Sequence, residues 1–180
     1  MNILILSAST GGGHMRASKA IEGYMTQKNK DINVKIVDSL LYISPILNKT
    51  VTSGYVYLAT KTPRLYGKLY DLTNKDHKLA NFVTRLNNIF ANKLLPLIDD
   101  FKPDVIITTH PFPTEMVSRL KSKREINIPL ICIMTDYAPH KAWINDKVDA
   151  YIVANDDMVA KLASEGVDAR CIYPYGIPVD

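Results

Sequence analysis

Between Asn2 and Ser39 the chain runs through an apolar stretch, a glycine turn, a helical pattern and a second apolar stretch. This succession constrains the fold more than any other feature. Asn2-Ile3-Leu4-Ile5-Leu6 reads as a short buried strand, closed by Ser7-Ala8-Ser9-Thr10-Gly11-Gly12-Gly13-His14. From Arg16 the pattern is helical, with Ala17, Ala20, Ile21 and Tyr24 on one face until Lys28-Asn29-Lys30-Asp31. Val34, Ile36 and Val37 form a second strand ending at Asp38-Ser39. Two strands joined through a crossover helix lie parallel, which calls for an α/β sheet covered on both faces.

The glycine turn sits where such a sheet presents ligands to a helix. Contiguous glycines permit positive φ and close approach of the backbone. The helix that follows turns its free N–H groups and positive dipole end toward the same place. His14 falls on the first turn, where the dipole disfavours a cation. A capping or packing role for His14 in a plain tight turn fits the local pattern equally well. Neither familiar phosphate signature is present. A Walker A loop needs Lys and then Ser or Thr after its last glycine, and here His14-Met15 follows. A dinucleotide fingerprint needs spaced glycines, whereas Gly11, Gly12 and Gly13 are adjacent.

The same alternation continues. Val105-Ile106-Ile107-Thr108-Thr109 reads as a third strand ending in His110-Pro111, and Leu130 to Met134 as a fourth ending in Thr135-Asp136. Asp149 to Ala154 is a fifth, followed by a helix from Asp156 to Glu165 that Asn155 caps and Gly166 stops. Arg170 to Tyr173 is a short sixth. Leu79, Phe82, Val83, Leu86, Phe90, Leu94, Leu97, Ile98 and Phe101 mark a long amphipathic helix. Pro96 should kink it or begin a new segment. Thr114 to Lys123 is a further short helix with a basic end. The fold expected is a doubly wound, Rossmann-like, mostly parallel sheet in a single domain, as 180 residues allow. In such sheets the ligand crevice lies beyond the carboxyl ends of the strands, where this chain places His14, Asp38, His110 and Asp136.

One stretch departs from the pattern. Residues 40–78 carry Tyr42, Tyr55, Tyr57, Tyr66 and Tyr70 together with Lys49, Lys61, Arg64, Lys68, Lys75 and Lys78, against only Asp71 and Asp76. They read as a helical insertion standing off the sheet. Its basic residues and aromatics suit an anionic membrane surface, although the segment taken alone reads first as a packed insertion with a solvated charged side.

Composition excludes several classes. A net charge of +4 is too mild for a nucleic-acid binder, and no apolar run approaches the ~18–20 residues of a membrane span. The N-terminus lacks the basic flank of a signal peptide. Cys132 and Cys171 have neither metal nor redox spacing and read as buried, inert thiols of a reducing compartment. His110, His140 and Asp136 would have to converge from two loops to hold a zinc ion, so no metal site is expected. No nucleophile elbow occurs. The densest polar cluster is Thr135-Asp136-Tyr137-Ala138-Pro139-His140-Lys141-Ala142-Trp143, although Asp136 suits an Asx turn and Trp143 a core position.

Ser9-Thr10-Gly11-Gly12-Gly13-His14-Met15-Arg16-Ala17-Ser18 resembles the G-G-G-H-x-x-A-S opening of diacylglycerol glycosyltransferases. These are the plant monogalactosyldiacylglycerol synthases and the bacterial processive diacylglycerol glucosyltransferases. Three further segments are similar in the same order. They are Lys102-Pro103-Asp104 through His110-Pro111-Phe112, Thr135-Asp136 with His140 and Trp143, and Asp149 to Ala154 leading to Gly176-Ile177-Pro178-Val179.

The resemblance implies the N-terminal, acceptor-side half of a GT-B glycosyltransferase over residues 1–174, with 175–180 beginning a linker to an absent donor half. It implies an inverting transfer of a hexose from a UDP-sugar to diacylglycerol, without a cofactor or bound metal. His14 would be the general base. Gly11, Gly12, Gly13, Asp136, His140 and Trp143 would line the acceptor cleft. Lys49, Tyr55, Tyr57, Lys61, Arg64, Tyr66 and Lys68 would face anionic lipids at the cytoplasmic side of the cell membrane. A polyprenyl-diphosphate-linked acceptor, a non-catalytic membrane module and a nucleotide-binding regulator are the alternatives.

Overall fold

A computed structural model of the chain describes residues 1–8, 12–43, 85, 87–137 and 141–179. Gly11 and His140 lie outside these residues. So do Lys49, Tyr55, Tyr57, Lys61, Arg64, Tyr66 and Lys68, and with them nearly all of the expected insertion.

All six expected strands form, and all pair in parallel. They are β1 (Asn2–Ser7), β2 (Asn33–Asp38), β3 (Val105–Thr108), β4 (Leu130–Ile133), β5 (Ala150–Ile152) and β6 (Ile172–Tyr173). Their order across the sheet is β2-β1-β3-β4-β5-β6. β1 is central to the fold, with Leu4 opposite Lys35 on one side and Ile106 on the other. Flanked by strands and covered on both faces, Ile3, Leu4, Ile5 and Leu6 are essentially inaccessible. That is why the run is apolar throughout instead of alternating.

Alternate residues of β1 serve different layers. Ile3 and Ile5 pack with Ile107 and with Ile21 of α1 (Gly13–Lys28). Leu4 and Leu6 pack with Leu97 and Ile98 of α3 (Leu95–Phe101) and Met116, Val117 and Leu120 of α4 (Pro111–Ser122). A third cluster joins Cys132, Met134, Trp143 and Tyr151 to Met158 and Leu162 of α5 (Asp156–Ser164). Helices therefore cover both faces of a parallel sheet, which is the doubly wound arrangement.

Several boundaries differ from the periodicity, each for a local reason. α1 begins at Gly13, ahead of its first apolar residue, because Gly12 takes φ 81° as its N-cap. The long amphipathic pattern is broken at Lys93 and Leu94, and Pro96 falls in the first turn of α3. α4 starts at Pro111, earlier than Thr114, because prolines in a first turn give up no helical hydrogen bond. Ala169–Cys171 is a short 3-10 turn, leaving β6 only two residues and Cys171 half-buried. Of residues 40–78 the structure describes the end of α2 (Ser39–Ile43), whose first free N–H groups, on Leu40 and Leu41, bond the Asp38 carboxylate.

The two described glycines of the turn have different requirements. Gly12 is held in the left-handed region, whereas Gly13 is helical with open space where a Cβ would stand. Gly12→Ala should cost about 1–2 kcal/mol of stability, the penalty of a side chain at positive φ. Gly13→Ala should be neutral or stabilising by up to about 1 kcal/mol, as for alanine replacing glycine in a helix. Urea unfolding of the two variants separates these effects; equal losses would contradict the difference in backbone roles.

Candidate active site at the β1/β3 switch

From β1 the chain crosses to β2 on one side, while β3 and every later strand lie on the other. The carboxyl ends of β1 and β3 therefore flank the switch point, the usual ligand crevice of such a sheet. His14, the second residue of α1, stands there half-buried.

Its ring is held from two neighbouring strand ends. Nδ1 lies 2.8 Å from the Thr109 carbonyl oxygen and 2.6 Å from Thr135 Oγ1. A carbonyl oxygen only accepts, so the proton of the ring sits on Nδ1 and is donated to Thr109. Nε2 is then the bare nitrogen, with a lone pair available as a base. Beneath the ring the buried hydroxyls of Ser7, Ser18 and Thr109 knit β1, α1 and β3 together. Thr109 donates to Ser7 Oγ at 2.8 Å and lies 2.9 Å from Ser18 Oγ. Ser18 Oγ also donates to the His14 carbonyl at 3.0 Å, fixing the first turn of α1 on this cluster.

Two aromatic rings bound the imidazole. His110 stands edge-on at 4.6 Å between centroids, with an interplanar angle of 76°. Trp143 is tilted by 48° at 6.3 Å. Trp143 is fully buried, and its indole N–H donates to the exposed Asp136 carboxylate at 2.8 Å. Asp136 thus holds the wall against which His14 rests, while Tyr137 beside it is exposed. The structure brings His14, Trp143 and Asp136 together, and Gly12 and Gly13 begin the helix that carries His14.

Ser7, Ser18, Thr109 and Thr135 lie within the motifs of the sequence, but nothing local marks their hydroxyls as partners of one cluster. The available signal was position: each hydroxyl stands at the carboxyl end of an apolar run or one helical turn beyond His14. The sequence places His110 at a strand end and in a family-like segment, with no sign of its contact with His14. Among the described residues no group of three or more His, Cys, Asp or Glu is arranged to hold a metal ion. Cys132 is buried, and burial pushes its thiol up to about 12, so it is not a nucleophile near neutral pH.

His110 is a neutral neighbour. Its Nδ1 accepts the Phe112 N–H at 3.0 Å, capping α4, so the neutral ring carries its proton on Nε2. Burial, and then repulsion from His14, lower its pKa from 6.5 to about 3. Between those values the unfolded chain binds a proton that the folded protein refuses. The stability so gained is complete above pH 6.5 and is lost as pH falls toward 3. His110→Asn keeps a capping acceptor and removes the titration. Its stability should fall less steeply than wild type below pH 6.5, by up to about 1.4 kcal/mol per pH unit. Denaturant unfolding between pH 7 and 4 measures this, and parallel curves would contradict it.

The comparisons with known proteins show the family. The monogalactosyldiacylglycerol (MGDG) synthase family matches residues 14–179. The processive diacylglycerol beta-glucosyltransferase of Bacillus mycoides (strain KBAB4) is 34% identical over 98% of this chain and 45% of its own length. The enzyme of the same name from Bacillus thuringiensis (strain Al Hakam) is 35% identical over the same shares. The chain thus spans a little under half the length of these curated relatives. Among solved structures, the apo lipopolysaccharide outer core galactosyltransferase WaaB aligns over 96% of this chain and 44% of its own. The TM-score is 0.49 and the identity 13%, too distant to bear on the site. On the family match and the two relatives, this chain belongs to the monogalactosyldiacylglycerol synthase family.

Proposed function

We propose that this chain is the acceptor-side half of an inverting glycosyltransferase that moves a hexose from a UDP-sugar to diacylglycerol at a membrane surface. In this reading residues 1–174 bind the acceptor, 175–180 open a linker, and a donor-binding half follows. The shared coverage of about 45% of the relatives' length supports that division. No helix among the described residues is long and apolar enough to cross a membrane. A peripheral attachment through residues 40–78 accords with the basic, tyrosine-rich sequence of that segment.

The observation that carries the reading is the His14 ring at the switch point with Nδ1 2.8 Å from a carbonyl oxygen, which in the neutral ring leaves Nε2 as the bare nitrogen. A glycerol hydroxyl is a poor nucleophile until its proton is removed. In the proposed step, His14 Nε2 takes that proton as the acceptor oxygen forms its bond to the sugar's anomeric carbon. The anomeric carbon's bond to the diphosphate oxygen breaks, and UDP leaves with the electron pair. Attack opposite the leaving group inverts the anomeric centre. The imidazolium formed faces the Thr109 carbonyl and the Thr135 hydroxyl, two dipoles aimed at positive charge, and afterwards releases its proton to solvent.

General-base assistance of this kind is worth roughly 10²–10⁴ in rate, or about 3–5 kcal/mol. His14→Ala in the full-length protein, assayed with UDP-glucose on diacylglycerol in anionic vesicles, should therefore lose about 10²-fold or more of kcat. Sedimentation with the vesicles should be unchanged. Turnover surviving within about threefold would refute the base assignment.

A further inference from the structure

His14 Nδ1 has two oxygen partners, and they are not equivalent. The Thr109 carbonyl belongs to the backbone at the end of β3, and it selects a proton on Nδ1 only while the ring is seated against it. Thr135, in the loop after β4, adds a side-chain hydroxyl at 2.6 Å from the same nitrogen. That hydroxyl cannot donate to Nδ1, which carries a proton. It donates instead to the Thr109 carbonyl, 3.3 Å away. Nδ1–H, the carbonyl and the hydroxyl thus close a triangle in which every proton has an acceptor.

The triangle adds one thing to a lone carbonyl bond. It gives Nδ1–H a second acceptor on a different strand end, so the ring is held in rotation as well as in distance. A ring turned by half a revolution would set a carbon against both oxygens and lose both bonds. The tautomer with its proton on Nε2 would set the Nδ1 lone pair against the carbonyl oxygen. Thr135 is half-buried and immediately precedes Asp136, whose carboxylate fixes Trp143 against the same ring. One short segment therefore supplies both the hydroxyl on the ring nitrogen and the wall beside the ring.

We infer that Thr135 is the positioning residue of the transfer reaction, holding His14 in the Nδ1–H tautomer and rotamer that presents Nε2 to the acceptor hydroxyl. The kinetic part rests on the reading of His14 as general base. The tautomer part does not, so the two can fail separately.

The test has two arms. In the 15N-labelled chain, two-bond proton–nitrogen correlations at neutral pH report which ring nitrogen of His14 is protonated. Wild type should show Nδ1 protonated and Nε2 bare. Thr135→Val, which keeps the volume and removes the hydroxyl, should show a mixture of tautomers, while Thr135→Ser restores the wild-type pattern. In the full-length protein, Thr135→Val should lower kcat about tenfold, the loss expected for one hydrogen bond to a charged transition-state group. Its KM for diacylglycerol should stay within about twofold, and Thr135→Ser should recover kcat to within about threefold. A merely structural threonine would not divide kcat from KM or move the tautomer.

A wild-type His14 with its proton on Nε2 overturns the inference. So does a Thr135→Val protein with the wild-type tautomer and undiminished kcat. Activity surviving in His14→Ala would strike the base reading alone and leave the tautomer result to stand or fall on the spectra.

Discussion

The hydrogen bond from His14 Nδ1–H to the carbonyl of Thr109 joins the first turn of α1 to the end of β3. Those two residues are 95 positions apart in the chain, and only the sheet order β2-β1-β3 makes them neighbours. β1 therefore has to be central, buried on both faces and paired on both edges, for the imidazole to meet its partner. The hydroxyls of Ser7, Thr109 and Ser18 transmit the same requirement inward. They tie the two strand ends and the helix into one unit, so the imidazole stands on a rigid floor. Positioning on strand and helix ends holds a catalytic group more tightly than a free loop would.

The electrostatic character of this floor also matters. Among the described residues, the partners of the His14 ring nitrogen are a carbonyl and a hydroxyl, not a carboxylate. Dipoles can orient an imidazole and stabilise its cation without adding a full negative charge to a cleft proposed to receive a diphosphate. His110 fits the same economy of charge. It is buried, lowered to about 3 and used as a helix cap, so it adds a ring but no cation beside His14. Asp136, the nearby acid, is turned to the Trp143 indole.

Much of the architecture was legible in the sequence because parallel strands leave uninterrupted apolar runs. Ile3 to Leu6, Val105 to Ile107 and Leu130 to Ile133 have no polar face to disguise them. The Asn155 cap and the Gly166 stop of α5 were equally plain, since each has a single local cause. What could not be read was any feature set by which strand ends become neighbours. Nothing local distinguishes Thr135 or Thr109 from an ordinary strand-terminal threonine; they matter only because β1, β3 and β4 are adjacent. The early start of α4 was hidden because Pro111 and Pro113 look like helix breakers unless they fall in a first turn. Trp143 reads as a core aromatic and is fully buried, whereas its bond to Asp136 follows from the packing of a turn on the sheet's end.

The central claim is geometric: Nε2 of His14 is the atom that meets the acceptor hydroxyl. The most direct measurement is a crystal structure of the full-length protein with UDP and a short-chain diacylglycerol. The account predicts the acceptor oxygen at hydrogen-bonding distance from Nε2, about 2.6–3.2 Å, with Nδ1 still on the Thr109 carbonyl. An acceptor hydroxyl bound elsewhere in the cleft, or a His14 ring turned away from Thr109 in that complex, would contradict it.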